Sequence, residues 1–123
     1  MKALVVDGSS VRRRIVMAAL ARIEITDVAQ APDGDHAIAA VVEQDFDVIV
    51  MDMQLAVVPG LQALRQIRNM KCLAPIVMIG DEATAQRAMA VKGAGGSAYL
   101  VRPFEPAVLG AKVRELLAAN STA

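Results

Sequence analysis

The chain has 123 residues, with 13 basic and 13 acidic side chains and a formal net charge of +0. That length suits one domain with a core of its own, and the balanced charge steers it neither to nucleic acid nor to an anionic membrane. Hydrophobic residues make up 55% of the chain, yet no uncharged run approaches the roughly 18 residues of a membrane span. The lone Cys72 fits a reducing compartment, and the start is too short an apolar run for a signal peptide. A soluble, cytoplasmic domain is expected.

In chain order, apolar runs at Ala3–Val6, Ile25–Ala29, Val48–Met51, Pro75–Ile79 and Ala98–Val101 predict strands. Helical stretches alternate with them. Ser9–Ile23 is expected to bury Val11, Ile15 and Leu20 and to show Arg12 and Arg13 to solvent, with Ser9 or Ser10 as its cap. Asp33, after the breaker Pro32, is placed to cap a helix at Gly34–Glu43. Gly60–Arg68 presents Leu61, Leu64 and Ile67 at three-residue steps, Ala83–Lys92 is stopped by Gly93, Gly95 and Gly96, and Glu105–Ala118 opens with Pro106 in its first turn. The last residues, Ala118–Ala123, read as a frayed end. Five βα units with short connections predict an α/β fold: a doubly wound, five-stranded parallel sheet, flavodoxin-like, of strand order 2-1-3-4-5. Residues 1–123 are expected to form this single domain, with no effector domain attached.

Two apolar strands end in aspartates, Asp7 and Asp52. In an open parallel sheet the carboxyl ends of strands are where ligands gather, and two carboxylates at one edge repel unless a cation, a hydrogen-bond network or a proton resolves the conflict. The sequence Asp7-Gly8-Ser9-Ser10 is poor in glycine for a phosphate-cradling loop, and its serines read more simply as a helix cap. A flavin site lacks the rings it needs, since the chain has no Trp and 2% aromatic residues. His36 has no second histidine to support a metal site, Arg12-Arg13-Arg14 reads as a solvated helix edge, and Asp81 either caps the helix after it or adds a negative charge at the mouth of the acidic pocket, the cap being favoured.

Taken in order, Leu4-Val5-Val6-Asp7, Asp33-Gly34, Asp47 to Asp52 with Pro59-Gly60-Leu61 beyond, and Tyr99-Leu100-Val101-Arg102-Pro103-Phe104 carry a family resemblance over essentially the whole chain. The chain resembles the receiver domain of two-component response regulators, and its length resembles stand-alone receivers of the chemotaxis type (CheY). The resemblance implies a signalling protein rather than an enzyme, with Asp52 as acceptor of a phosphoryl group from a histidine kinase or phosphotransfer protein. It implies Mg²⁺ held by Asp7, Asp52 and the main-chain carbonyl of Gln54, weakened because Gly8 stands where the family has a second acid. It puts Gly80 in the position of a phosphate-binding hydroxyl, Arg102 in that of a lysine before a cis-proline, and Tyr99 in that of a switch aromatic.

Two functions follow from these departures. One is a phosphoacceptor switch at Asp52 with weakened Mg²⁺ dependence. The other is a phosphorylation-independent interaction module, biased by pairing of Arg102 with a carboxylate. In both, the Ala83–Lys92, Ala98–Val101 and Glu105–Ala118 face is expected to bind a downstream protein or a second copy, through small and apolar residues such as Ala85, Ala88, Met89, Val91 and Ala111.

Overall fold

The computed structural model describes residues 1–121. Its elements alternate as β1 (Lys2–Val6), α1 (Ser10–Ala21), β2 (Asp27–Ala31), α2 (Gly34–Glu43), β3 (Val48–Asp52), α3 (Gly60–Asn69), β4 (Ile76–Gly80), α4 (Ala85–Gly93), β5 (Ala98–Val101) and α5 (Pro106–Ser121). All strand pairs are parallel, in the order β2-β1-β3-β4-β5, as the alternation predicts. No described helix is long and apolar enough to cross a membrane.

Strand side chains alternate between the faces, so the sheet carries two cores. Leu4, Val6, Ile49, Met51, Ile76 and Met78 pack with α2, α3 and α4 residues such as Ala37, Leu64, Ile67 and Val91. Ala3, Val5, Val48, Val50, Val77 and Ile79 pack with Leu20 of α1 and with Leu109 and Val113 of α5. Burial of β3 and β4 on both sides explains why they read as unbroken apolar runs.

Most boundaries agree to within one or two residues, and three of the differences have a local cause. β2 begins at Asp27, not at Ile25. Glu24 adopts a left-handed φ of 66° and the Ile25 amide bonds back to the Leu20 carbonyl, so buried Ile25 closes the helix rather than starting the strand. α4 begins at Ala85 because the Thr84 side chain accepts from the Arg87 amide, and Thr84 therefore takes the cap expected of Asp81. α5 continues beyond Ala118 to Ser121, so the expected fraying is absent there; the remainder of that expectation, at Thr122 and Ala123, lies outside the described residues.

The caps at Ser9 and Asp33 are as expected, accepting from the amides of Arg12 and His36. The buried face of α1 is rotated, however: Val16, Ala19 and Leu20 point inward, while Val11 and Ile15 are 57% and 53% exposed. That rotation turns Arg12 toward the end of the sheet.

Candidate functional site

Parallel pairing brings the carboxyl ends of β1, β3, β4 and β5 to one edge. Asp52 is the last residue of β3 and pairs with Ile79. Asp7 follows β1 and is tied across it by its amide, which donates to the Ala31 carbonyl at 3.1 Å. Arg102 follows β5, its amide donating to the Gly80 carbonyl at 2.9 Å. Asp7 and Asp52 are the only buried charged residues among those described. Left unpaired, such groups would each cost several kcal/mol, on the order of the ion desolvation penalty.

Two guanidiniums resolve the conflict. Arg102 donates through Nη2 to Asp52 Oδ1 at 2.8 Å and stands 3.5 Å from Asp7 Oδ2. Its Nη1 donates to Asp81 at 3.0 Å, so Asp81 faces the pocket mouth, and the expectation that it caps α4 fails because Arg102 offers it an ion pair. Burial works against the charge of Arg102, and the hydrogen bonds to Asp52 and Asp81 outweigh it, so its pKa is raised.

Arg12 is the second guanidinium. Its Nε lies 2.9 and 3.1 Å from the two oxygens of Asp7, its Nη2 donates to Asp7 Oδ1 at 2.9 Å, and the same Nη2 stands 3.6 Å from Asp52 Oδ2. The hydrogen bond to Asp7 raises the Arg12 pKa. Arg13 adds a bond from Nη1 to the Asp7 carbonyl at 2.7 Å and one from Nε to Gln30 at 3.0 Å, tying β1 to β2. The solvated edge expected at Arg12 and Arg13 is instead part of the site. Its signal was in the spacing: Arg12 lies in the first turn after the cap Ser9, two residues beyond Asp7, and so at the level of the strand ends.

Of the other expected residues, Gly8 sits in open surroundings, where an added Cβ would meet only the Pro32 carbonyl oxygen at 3.7 Å. The backbone there has room for a Cβ, so packing at that atom does not demand the glycine. Gly80 is covered by Tyr99, which donates from its hydroxyl to the Glu82 carbonyl at 2.8 Å. Gln54, exposed, borders a cleft with Gly80, Asp81, Arg87 and Tyr99. His36 is exposed, as expected, but its ring bonds to Asp33. On the expected output face, Met89 is 71% exposed and Ala85, Ala88 and Ala111 are exposed, whereas Val91 is buried in the core and offers nothing to a partner.

As arranged, these groups do not fit a divalent cation. Mg²⁺ needs near-octahedral oxygen ligands, and both oxygens of Asp7 are taken by Arg12, position 8 has no side chain, and a guanidinium flanks each oxygen of Asp52. No group of three or more His, Cys, Asp or Glu side chains suited to a metal occurs among the described residues.

Residues 3–114 match the model of the response regulator receiver domain family. The chemotaxis protein CheY of Pseudomonas aeruginosa is 33% identical, with 94% of this chain and 95% of that one covered. Among solved structures, the chemotaxis response regulator CheY4 of Vibrio cholerae superposes with a TM-score of 0.86 at 29% identity over 94% of this chain and 97% of that one. The Francisella response regulator 1452 receiver domain reaches 0.90 at 23% identity, over 97% and 98%, which shows the shared fold. The strand order, the acids ending the first and third strands, and these matches together make the chain a member of the response regulator receiver family, at home in two-component signalling.

Proposed function

We propose that this receiver works as a phosphorylation-independent interaction module in which the side chains of Arg102 and Arg12 stand in for the cation and cover Asp52. One observation carries the reading: Asp52 is 3% exposed and each of its oxygens faces a guanidinium, at 2.8 and 3.6 Å. Phosphoryl transfer depends on positioning and on neutralising charge at an accessible nucleophile. Here the nucleophile is already neutralised and covered. Gly80 offers no hydroxyl to a phosphoryl oxygen, and Tyr99 is held by a main-chain carbonyl rather than by any group at position 80.

Receivers interact with histidine kinases or phosphotransfer proteins and with downstream targets. In this reading a protein partner, or a second copy, docks on the exposed small and apolar residues of α4 and α5, Ala85, Ala88, Met89, Ala107, Val108 and Ala111. Balanced charge with a lone cysteine supports the cytoplasm. A second reading, phosphoryl transfer to Asp52 itself, draws on the 47% exposure of the Arg12 side chain. If Arg12 swings out, Asp52 is left with Arg102 and with an incomplete Mg²⁺ set of Asp7, Asp52 and the Gln54 carbonyl.

Intact mass after treatment with a small phosphodonor and Mg²⁺ separates the two. The native chain is expected to gain nothing, and a variant carrying Gly8→Asp, Arg12→Met, Gly80→Thr and Arg102→Lys to gain one phosphoryl group. A gain in the native chain that disappears in Asp52→Ala overturns the masked reading in favour of the second.

A further inference from the structure

Beside Arg12 and Arg102, α1 and the start of α5 leave a cavity of about 220 Å³ whose lining does not include Asp52. Ile15 and Ala19 of α1, Ile79 of β4, and Phe104 and Leu109 around the start of α5 give it apolar walls; Arg12, Arg102 and Asp7, which contact one another, supply its charged lining. We propose that this cavity binds an apolar carboxylate, tail between α1 and α5 and head on Arg12.

Size sets the tail. An apolar cavity of about 150 Å³ accepts a benzene ring, so this one holds about six to eight carbons. Charge sets the head. Asp7 is the only acid in the lining, and its oxygens already receive Arg12 Nε and Nη2, the Ser9 amide at 2.8 Å and the longer contact from Arg102. It has nothing left for a cation. Arg12 bonds through Nε and Nη2 alone among the described residues, which leaves Nη1 uncommitted on a side chain 47% exposed. Arg102 likewise commits Nη1 and Nη2 and leaves Nε. A neutral hydrocarbon leaves these donors to water, whereas a carboxylate adds charge-assisted hydrogen bonds to them.

A head group on Arg12 shares that guanidinium with Asp7 and loosens the cover 3.6 Å from Asp52. This coupling rests on the masked reading of the site, whereas binding itself does not.

The test is a titration of the ¹⁵N-labelled full chain with octanoate, 3-phenylpropionate and uncharged octanol, read from amide shifts. Saturating shifts are expected at Ile15, Ala19, Phe104 and Leu109, with an acid bound at least about tenfold more tightly than octanol, the worth of one charge-assisted hydrogen bond. Saturation by octanoate alone identifies an aliphatic tail, and by phenylpropionate alone an aromatic one. Arg12→Gln should erase the preference over octanol. Ile15→Glu, at a half-exposed position that folding tolerates, should abolish binding with the rest of the spectrum kept. The proposal is overturned if neither acid saturates these amides, if octanol binds as well, or if Ile15→Glu binds undiminished. Phosphoryl uptake is measured separately by mass, so acid binding beside a phosphorylated Asp52 would sink the masking and leave the cavity site standing.

Discussion

The ring of Tyr99 lies where a side chain on Gly80 would be. A Cβ built on Gly80 would come 2.5 Å from the Tyr99 hydroxyl oxygen and 2.9 Å from a ring carbon. The glycine is therefore the notch through which the hydroxyl reaches the Glu82 carbonyl, bridging β5 to the loop before α4. Absence of a phosphate-binding hydroxyl and placement of the aromatic ring are one structural fact.

Gly80→Thr should expel the ring. Overpacking of this kind costs about 1–3 kcal/mol, read from urea denaturation. Tyr99 is the only Tyr and the chain has no Trp, so its fluorescence reports the ring alone, and acrylamide quenching should rise in the variant. Unchanged quenching would mean that Tyr99 does not need the notch.

The Asp33–His36 cap of α2 should make stability depend on pH. Its hydrogen bond to Asp33 raises the His36 pKa above 6.5, and the His36 amide and ring hold Asp33 below 3.8. The histidine's contribution is complete below its unfolded value and is lost as pH rises through its folded one; the aspartate's is present above its unfolded value and is lost as pH falls through its folded one. The Tm difference between the native chain and His36→Gln should be largest near pH 5, between those values, and shrink above neutrality. A difference flat from pH 5 to 8 would show the ring bond to be inert.

Among the described residues, Arg68 makes no ion pair with an acid. Its Nε donates to the Gly95 carbonyl at 2.8 Å, its Nη1 to those of Cys72 and Ala74 at 2.8 and 2.7 Å, and its Nη2 approaches Ser97 at 3.4 Å. Burial lowers its pKa. Arg68→Ala strands these carbonyls and should cost on the order of 2–4 kcal/mol. Arg68→Lys should recover less than half, because an ammonium cannot span the fork. Urea midpoints of the three proteins decide it; full recovery by lysine would refute the geometric argument.

Val57 holds φ at 68° while 77% exposed. A β-branched residue is strained there and nothing packs it in return, so Val57→Gly should stabilise the chain by about 1 kcal/mol. A lower denaturation midpoint would contradict that.

The fold was legible because β3 and β4, buried on both faces, leave continuous apolar runs, and because Ser9 and Asp33 are strong caps. β2 was displaced because Asp27–Ala31 is a half-exposed edge strand with a weak pattern, next to the stronger apolar signal of Ile25. The pairing of Arg102 with a carboxylate follows from the receiver resemblance, which puts Arg102 in the family's lysine position at the same sheet edge as Asp7 and Asp52. The role of Arg12 could not be separated from its neighbours, because three arginines in a row leave the choice to a helix rotation that α1 states poorly: Val11 and Ile15 are apolar yet exposed. Asp81 faces the site rather than capping α4 because Thr84 competes for the same cap and Arg102 for the same carboxylate.

Because neighbouring residues of one strand serve opposite cores, as Val50 does toward α1 and α5 and Met51 toward the other three helices, the central ribbon insulates two hydrophobic compartments. Each can be repacked without disturbing its counterpart, and substitution costs measured on opposite sides should add. Traffic between the compartments is left to the rim where Arg102 reaches from Asp52 to Asp81.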